Sequence, residues 1–118
     1  MALALFALSI DCGDADKLAA FWAAALGRPV EPGATPESAA IAPGETGAAG
    51  PRLLFHQVPE PKIVKNRLHI DLISDAFEAE SQRLAALGAS RIRDVTKGSA
   101  RWTTFADPEG NEFDLIVG

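Results

Sequence analysis

The chain has little of several features that would place it in particular classes of protein. With a single cysteine, Cys12, it cannot form an intrachain disulfide, and nothing in it requires an oxidising compartment. Lysine and arginine total 11 against 16 aspartate and glutamate residues, and the resulting net charge of -5 argues against a nucleic-acid-binding face. The apolar start, residues 1–10, is too short to span a membrane and lacks the pattern of a signal peptide. We therefore expect a soluble, cytoplasmic protein that binds neither nucleic acid nor membrane.

The segment from Asp107 to Val117 is the most informative part of the sequence. Pro108 and Gly110 favour a tight turn, and alternating residues follow it, so the pattern predicts a strand over 112–117. In that strand Asp114 points away from the apolar side chains that flank it. Residues 68–73 repeat the arrangement with His69 and Asp71. Two strands that carry metal-competent side chains opposite an apolar face indicate a pocket.

The first half of the chain predicts a strand over 3–11, a helix, and further short strands. Asp14 is a candidate N-cap for the helix, and Gly27 is a candidate C-terminal stop. Residues 28–50 are compatible with two short strands joined by a loop. A strand over 52–58 and a loop over 59–65 follow.

The second half repeats this order. It predicts a strand over 67–73, a helix capped by Asp75 with Glu78 in a capping box, a stop at Gly88, and strands over 90–95, 101–106 and 112–117. We therefore predict one α+β domain over residues 1–118. It would be built from two βαβββ units, about 1–58 and 66–118, that form a curved mixed sheet around a cleft.

Side-chain parity assigns each strand face to the core or to this cleft. The more apolar faces should pack under the helices: Phe6, Leu8 and Ile10; Leu68, Ile70 and Leu72; Phe113, Leu115 and Val117. The opposite faces should line the cleft: Ala7, Ser9, His69, Asp71, Asp114 and Ile116. Trp102 should face the cleft and stack on a flat ligand if Phe105 lies under the helix. Arg67 and Arg101 have two interpretations, as ligands of an anionic molecule or as solvated residues at strand ends, and the second is favoured.

The sequence resembles the vicinal oxygen chelate superfamily, which includes glyoxalase I, bleomycin-resistance proteins and extradiol dioxygenases. The resemblance covers nearly the whole chain and is strongest in residues 14–22, 26–27, 65–72, 87–89 and 107–113. It is greatest to the small glyoxalase-like members. It implies the glyoxalase/bleomycin-resistance/dioxygenase fold, which hosts several chemistries and therefore does not define an activity.

In metal-dependent relatives, four inward side chains on four strands hold a divalent ion. By resemblance these positions fall on Ala7, near Phe55 with Gln57 two residues on, on His69, and on Asp114. Ala7 and Phe55 cannot ligate, and Gln57 would be a weak ligand, whereas His69 and Asp114 match. The expectation is that no complete metal site forms. The alternative is Zn, Ni, Mn or Fe bound by His69 and Asp114.

Three functions remain open at this point. The first is a protein that binds a small organic molecule through Ala7, Ser9, Phe55, Gln57, His69, Asp71, Trp102 and Asp114. The second is a metal-dependent lyase, isomerase or dioxygenase that uses His69 and Asp114. The third is metal-free acid/base catalysis by His69, because an imidazole titrates near neutral pH, at about 6.5. A homodimer is expected because a module of this size has open strand edges and limited buried area.

Overall fold

The computed structural model describes residues 3–44 and 50–118, and these residues form two helices and seven strands. The α+β class expected from the sequence is confirmed. The chain divides into two compact units, Met1–Pro61 and Lys62–Gly118. Within the described ranges, no helix combines the length and the apolar character needed to cross a membrane.

The first unit contains one helix and a three-stranded mixed sheet. Its elements, in chain order, are β1 (Ala7–Cys12), α1 (Ala15–Leu26), β2 (Ser38–Ile41) and β3 (Arg52–Gln57). Strand β3 lies in the middle, parallel to β1 and antiparallel to β2. Only one full strand forms in the described part of the 28–50 segment, together with an isolated bridge between Val30 and Ile41. Residues 45–49 of that segment lie outside the described residues.

Both ends of α1 are as the sequence predicts. The Asp14 carboxylate accepts a hydrogen bond from the Lys17 backbone N–H at 3.0 Å, which satisfies one of the donors that a helix start leaves unpaired. Gly27 adopts the left-handed conformation, with φ of 65°, which glycine adopts without the steric cost of a Cβ. Leu18, Phe21 and Trp22 form its buried stripe.

The second unit contains one helix and a four-stranded mixed sheet. Its elements are β4 (Asp71–Ser74), α2 (Phe77–Leu87), β5 (Ser90–Lys97), β6 (Ala100–Ala106) and β7 (Glu112–Val117). The strand order is β4-β7-β6-β5, with β4 parallel to β7 and the other pairs antiparallel. This is the βαβββ order expected from the sequence.

The turn before β7 forms as predicted. The Asp107 carboxylate accepts backbone N–H bonds from Glu109 at 2.9 Å and from Asn111 at 3.0 Å, and Gly110 has φ of 89°. The short side chain of Asp107 therefore takes up backbone donors that the reversal leaves unpaired. This fixes the residue at which β7 begins.

Two predictions about the start of the second unit are wrong. Strand β4 begins at Asp71, so residues 67–70 are not part of it. Helix α2 begins after Ala76 without a side-chain cap, because the Ser74 hydroxyl, and not Asp75, accepts the Ala76 backbone N–H at 2.9 Å. The expected capping box of Asp75 and Glu78 is therefore absent.

The core assignment holds for the later strands and fails at two strand starts. Phe113 and Leu115 are buried, as are Phe105, Leu84 and Leu18. Phe6 and Leu68 were both expected under the helices, but their side chains are 74% and 82% exposed. The reason is that β1 begins after Phe6 and β4 begins after Leu68, so neither residue is part of its predicted strand. Leu87, expected on the buried stripe of α2, is exposed as well.

Candidate functional site

The register of β5, β6 and β7 places a set of polar and aromatic side chains on one sheet face. Residues directly opposite each other in antiparallel strands share a face. Trp102 lies opposite Val95 and Ile116, and Thr104 lies opposite Arg93 and Asp114. Phe105 faces the other way and is fully buried. The predicted parity of Trp102 and Phe105 is therefore confirmed, with Trp102 on the face that is not packed into the core.

A pocket of about 200 Å³ opens on this face. It lies wholly within the second unit. It combines one aromatic surface with both positively and negatively charged side chains. Its walls are formed by Lys65, His69, Arg93, Val95, Trp102, Thr104, Glu112 and Asp114. Pockets of this kind, with an apolar surface and a few convergent polar groups, are the usual sites of small-molecule binding.

A side chain, and not a strand, holds the segment that carries His69. Asn66 donates its amide N–H to the Glu112 carbonyl at 3.2 Å and accepts the Glu112 backbone N–H at 2.9 Å. At the other end of the segment, the Asp114 N–H donates to the Ile70 carbonyl at 3.0 Å. His69 lies between these two attachments to β7. The Asn66 amide thus replaces a backbone pair that a longer β4 would have made.

Replacing Asn66 by alanine should loosen this segment. We expect a loss of about 1–2 kcal/mol in the free energy of unfolding, because two hydrogen bonds to Glu112 backbone groups disappear. The Glu112 amide should exchange its hydrogen faster, as measured by NMR. Asn66→Asp keeps the acceptor for that amide and removes only the donor, so it should protect the Glu112 amide better than alanine does. Unchanged exchange in Asn66→Ala would contradict the assigned role.

His69 lies beside two carboxylates. Its Nδ1 atom is 2.7 Å from Asp71 Oδ1 and 3.8 Å from Asp114 Oδ2. Asp114 is the least exposed of the three side chains, and it also accepts a hydrogen bond from the Thr104 hydroxyl at 2.7 Å. The ligand atoms of the three residues all lie within 4.8 Å of one another. Strand register explains this grouping, since Asp71 pairs directly with Asp114 across β4 and β7.

This cluster satisfies the simplest requirements of a metal site. Ligand bonds of about 2.0–2.2 Å place neighbouring donor atoms of one ion roughly 3 Å apart. The His69–Asp71 distance of 2.7 Å is close to this value, whereas the His69–Asp114 distance is 3.8 Å. One imidazole and two carboxylates suit Zn, Mn or Fe more than a soft ion. Asp71 supplies a third candidate ligand, where the family positions had suggested only His69 and Asp114. The sequence already indicated this, because residues two apart in an extended segment, such as His69 and Asp71, point to the same side.

The pocket also contains an ion-pair cluster that the sequence did not indicate. Lys65 Nζ lies 2.8 Å from Glu112 Oε1, and Arg93 Nη2 lies 3.5 Å from the same oxygen. The hydrogen bond from Lys65, with a smaller contribution from Arg93, holds the pKa of the Glu112 carboxyl below its usual value. Glu112 is therefore a stable carboxylate at neutral pH.

Arg93 reaches the pocket because β5 contains an irregularity. The register shifts between Arg91 and Arg93, so Arg91 lies opposite Phe105 while Arg93 lies opposite Thr104. Simple alternation would have put both arginines on one face. Instead Arg91 turns to the other side, with its guanidinium 5.6 Å from the centre of the Phe77 ring. A β-bulge of this kind is difficult to find in a sequence.

The site residues expected from the first unit are divided between two faces. Ala7 and Ser9 pair with Arg52 and Leu54, whereas Phe55 and Gln57 pair with Ile10 and Cys12. Phe55 is fully buried, which corrects the expectation that it lines an open cleft.

Gln57, which shares the Phe55 face, is exposed. Its side-chain N–H donates to the Gly13 carbonyl at 3.0 Å. Ser9 is exposed and Ala7 is partly buried. A common site that joins these residues with His69 and Asp114 stays a prediction.

Comparison with solved structures shows the fold. The fosfomycin resistance protein FosX from Mesorhizobium loti is 16% identical, with a TM-score of 0.72 over 100% of this chain and 94% of that one. A FosX variant from Listeria monocytogenes, complexed with Mn(II) and a dihydroxypropylphosphonic acid, is 18% identical, with a TM-score of 0.74 over 100% of this chain and 92% of that one. At these identities the similarity is evidence for the fold alone.

A third similar structure is a glyoxalase/bleomycin resistance protein/dioxygenase family enzyme from Burkholderia phytofirmans. It is 18% identical, with a TM-score of 0.71 over 93% of this chain and 94% of that one. No curated protein gives a significant match to the sequence. Residues 7–116 match the family model described as a glyoxalase-like domain. The chain therefore belongs to the glyoxalase-like domain family of the vicinal oxygen chelate superfamily.

Proposed function

We propose that the protein binds a small organic molecule in the pocket of its second unit, with Trp102 as the stacking surface. The observation that carries the proposal is the position of Trp102 in the wall of a 200 Å³ pocket that also contains His69 and Asp114. An indole face beside convergent polar groups can hold a flat ligand and fix its orientation. Fosfomycin resistance proteins and an enzyme of the dioxygenase family among the similar structures support this general class.

Trp102 provides a direct test because the chain has only two tryptophans. Protein labelled with 5-fluorotryptophan should give two fluorine resonances by NMR, and Trp102→Phe assigns them. A screen of small aromatic molecules should yield ligands that shift the Trp102 resonance and leave that of Trp22, which is 2% exposed, in place. Trp102→Ala should weaken these ligands about 3- to 10-fold, the usual value of one stacking contact.

Two results would contradict this proposal. The first is that ligands from the screen shift only the Trp22 resonance, and the second is that they bind Trp102→Ala as tightly as the unchanged protein. The first would place binding in the other unit, and the second would show that the indole makes no contact with the ligand.

A second candidate is a divalent-metal-dependent lyase, isomerase or dioxygenase. The observation that favours it is the convergence of His69, Asp71 and Asp114 within 4.8 Å. These three side chains would hold the ion, which supplies Lewis-acid polarisation of a substrate oxygen when bound. Thr104 would fix the orientation of Asp114 through its 2.7 Å hydrogen bond, as partners of metal ligands commonly do. Trp102 would position the substrate and exclude water from one side of it.

His69 also provides the third possibility, metal-free acid/base chemistry. Its Nδ1 lies within hydrogen-bond distance of Asp71, an arrangement that orients the ring. The homodimer, the cytoplasmic location and the absence of nucleic-acid binding expected from the sequence stay predictions. Exposed apolar side chains before β1, at Leu3, Leu5 and Phe6, are compatible with an interface between copies.

A further inference from the structure

Two cationic side chains in the pocket converge on a single carboxylate oxygen. Lys65, from the segment before β4, and Arg93, from β5, both contact Oε1 of Glu112, at 2.8 and 3.5 Å. One small anion placed where that oxygen lies would therefore meet both cations at once. The guanidinium and the ammonium group come from different parts of the chain, and they meet only at this pocket wall.

One wall of the pocket carries two positive charges, Lys65 and Arg93, that share the single carboxylate of Glu112. The other carboxylate of the pocket lining, Asp114, lies beside His69 and accepts a hydrogen bond from Thr104. The contribution of the Glu112 ion pairs to stability is small, because Lys65 and Arg93 side chains are 63% and 51% exposed and exposed ion pairs contribute little. A ligand anion can therefore replace the Glu112 carboxylate without loss of a buried, strongly stabilising pair.

The adjoining residues define what the rest of such a ligand would touch. Arg93 and Val95 are two residues apart on the pocket face of β5, a step of roughly 7 Å along a strand. Val95 lies opposite Trp102, so an apolar surface begins one such step from the guanidinium. A small acid with a flat apolar body fits this arrangement, with its acidic group at Arg93 and its apolar part against Val95 and Trp102.

We propose that Lys65 and Arg93 form an anion subsite that selects small organic acids, with the flat part of the acid on Trp102 and its carboxylate between the two cations. In the absence of ligand, the Glu112 carboxylate occupies the subsite as an internal competitor. This inference rests on the proposed function, since it assigns the chemical class of the ligand to the same pocket. It predicts that loss of either cation weakens the binding of an acid and that loss of the Glu112 carboxylate strengthens it.

Benzoate and benzamide provide matched probes because they have nearly the same shape and differ in charge. Binding is measured from the Trp102 fluorine resonance, in EDTA so that metal-bound carboxylate does not contribute, and at constant ionic strength. We expect the unchanged protein to bind benzoate about tenfold more tightly than benzamide, as charge-assisted hydrogen bonds predict. Arg93→Gln and Lys65→Gln should each reduce this ratio to about threefold, because one of the two cations remains and benzoate loses more affinity than benzamide.

Glu112→Gln should act in the other direction. It removes the internal competitor and retains a side chain of the same size, so the affinity for benzoate should rise about 3- to 10-fold. Arg101→Gln is the matched control. It removes the same charge from β6 at an exposed position outside the pocket wall, and the ratio should stay at the value of the unchanged protein.

The outcomes separate this inference from the proposed function. If both probes shift the Trp102 resonance with equal affinity, the pocket binds small molecules but the anion subsite is refuted. If neither probe shifts it at millimolar concentration, the subsite is refuted as well, and the broader ligand screen alone decides the proposed function. A benzoate affinity that falls in Glu112→Gln would also overturn the inference, since the carboxylate would then be part of the binding site.

Discussion

Replacing Phe105 by alanine should lower the free energy of unfolding by about 3–5 kcal/mol, the usual range for removing a fully buried phenylalanine. Phe105 has no exposed surface, and its ring stacks on that of Phe113, with centroids 5.6 Å apart and an angle of 16° between the planes. The substitution removes this aromatic contact and leaves a cavity that the surrounding strands cannot fill. Urea denaturation followed by circular dichroism measures the loss.

Trp102→Ala is the matched control for this prediction. The two residues are three apart on β6, and Trp102 is the larger, yet it lies on the pocket face and is only partly buried. We expect its loss to cost about 1–2 kcal/mol, because little of its surface is removed from water by the core. Equal costs at the two positions would mean that the faces of β6 have been assigned wrongly.

The sequence was most informative where local chemistry alone decides the structure. Asp14 and Gly27 bound α1 because a carboxylate accepts a first-turn amide and glycine adopts a left-handed conformation, and neither effect depends on distant residues. The alternation that separates Phe105 from Trp102 is similarly local, since it follows from the two-residue period of a strand.

Predictions failed where a distant residue decides the outcome. Residues 67–70 have a strand-like pattern, but the Asn66 side chain takes the Glu112 backbone bonds that would have extended β4. Phe55 was placed in the cleft by resemblance, whereas its pairing with Ile10 puts it in the core. Both outcomes depend on which strands become neighbours, and periodicity carries no information about that.

The pocket residues likewise divide into those that the sequence indicated and those that only the arrangement of distant segments brings into the pocket. Trp102, His69, Asp71 and Asp114 were all candidates from the sequence, because each is an unusual side chain on a polar strand face. Lys65, Arg93 and Glu112 were not, since charged residues in loops and on exposed strand faces are ordinarily solvated. Only the bulge in β5 and the approach of the Lys65 segment to β7 bring these three together.

Divalent metal should stabilise the unchanged protein through His69, Asp71 and Asp114. At a concentration 100 times its dissociation constant, Mn²⁺ or Zn²⁺ should raise the free energy of unfolding by about 2.7 kcal/mol, because an ion that binds only the folded state shifts the equilibrium by mass action. From the sequence, with ligands expected only at His69 and Asp114, no complete metal site was expected. Asp71, the third candidate ligand, lies 2.7 Å from the imidazole and should lower the dissociation constant of the ion, and therefore the concentration at which this response is reached.

Three variants test this response in the same thermal and urea titrations. His69→Ala and Asp71→Asn should each remove most of it, since two remaining ligands hold an ion weakly. His56→Ala is the control, because His56 is the only other histidine of the chain and is exposed on β3, away from the cluster residues in the sequence. A full response in Asp71→Asn would mean that Asp71 does not bind the ion and that only His69 and Asp114 remain as candidate ligands. No response in the unchanged protein would remove the metal-dependent candidate and leave binding of a small organic molecule at Trp102 as the function to pursue.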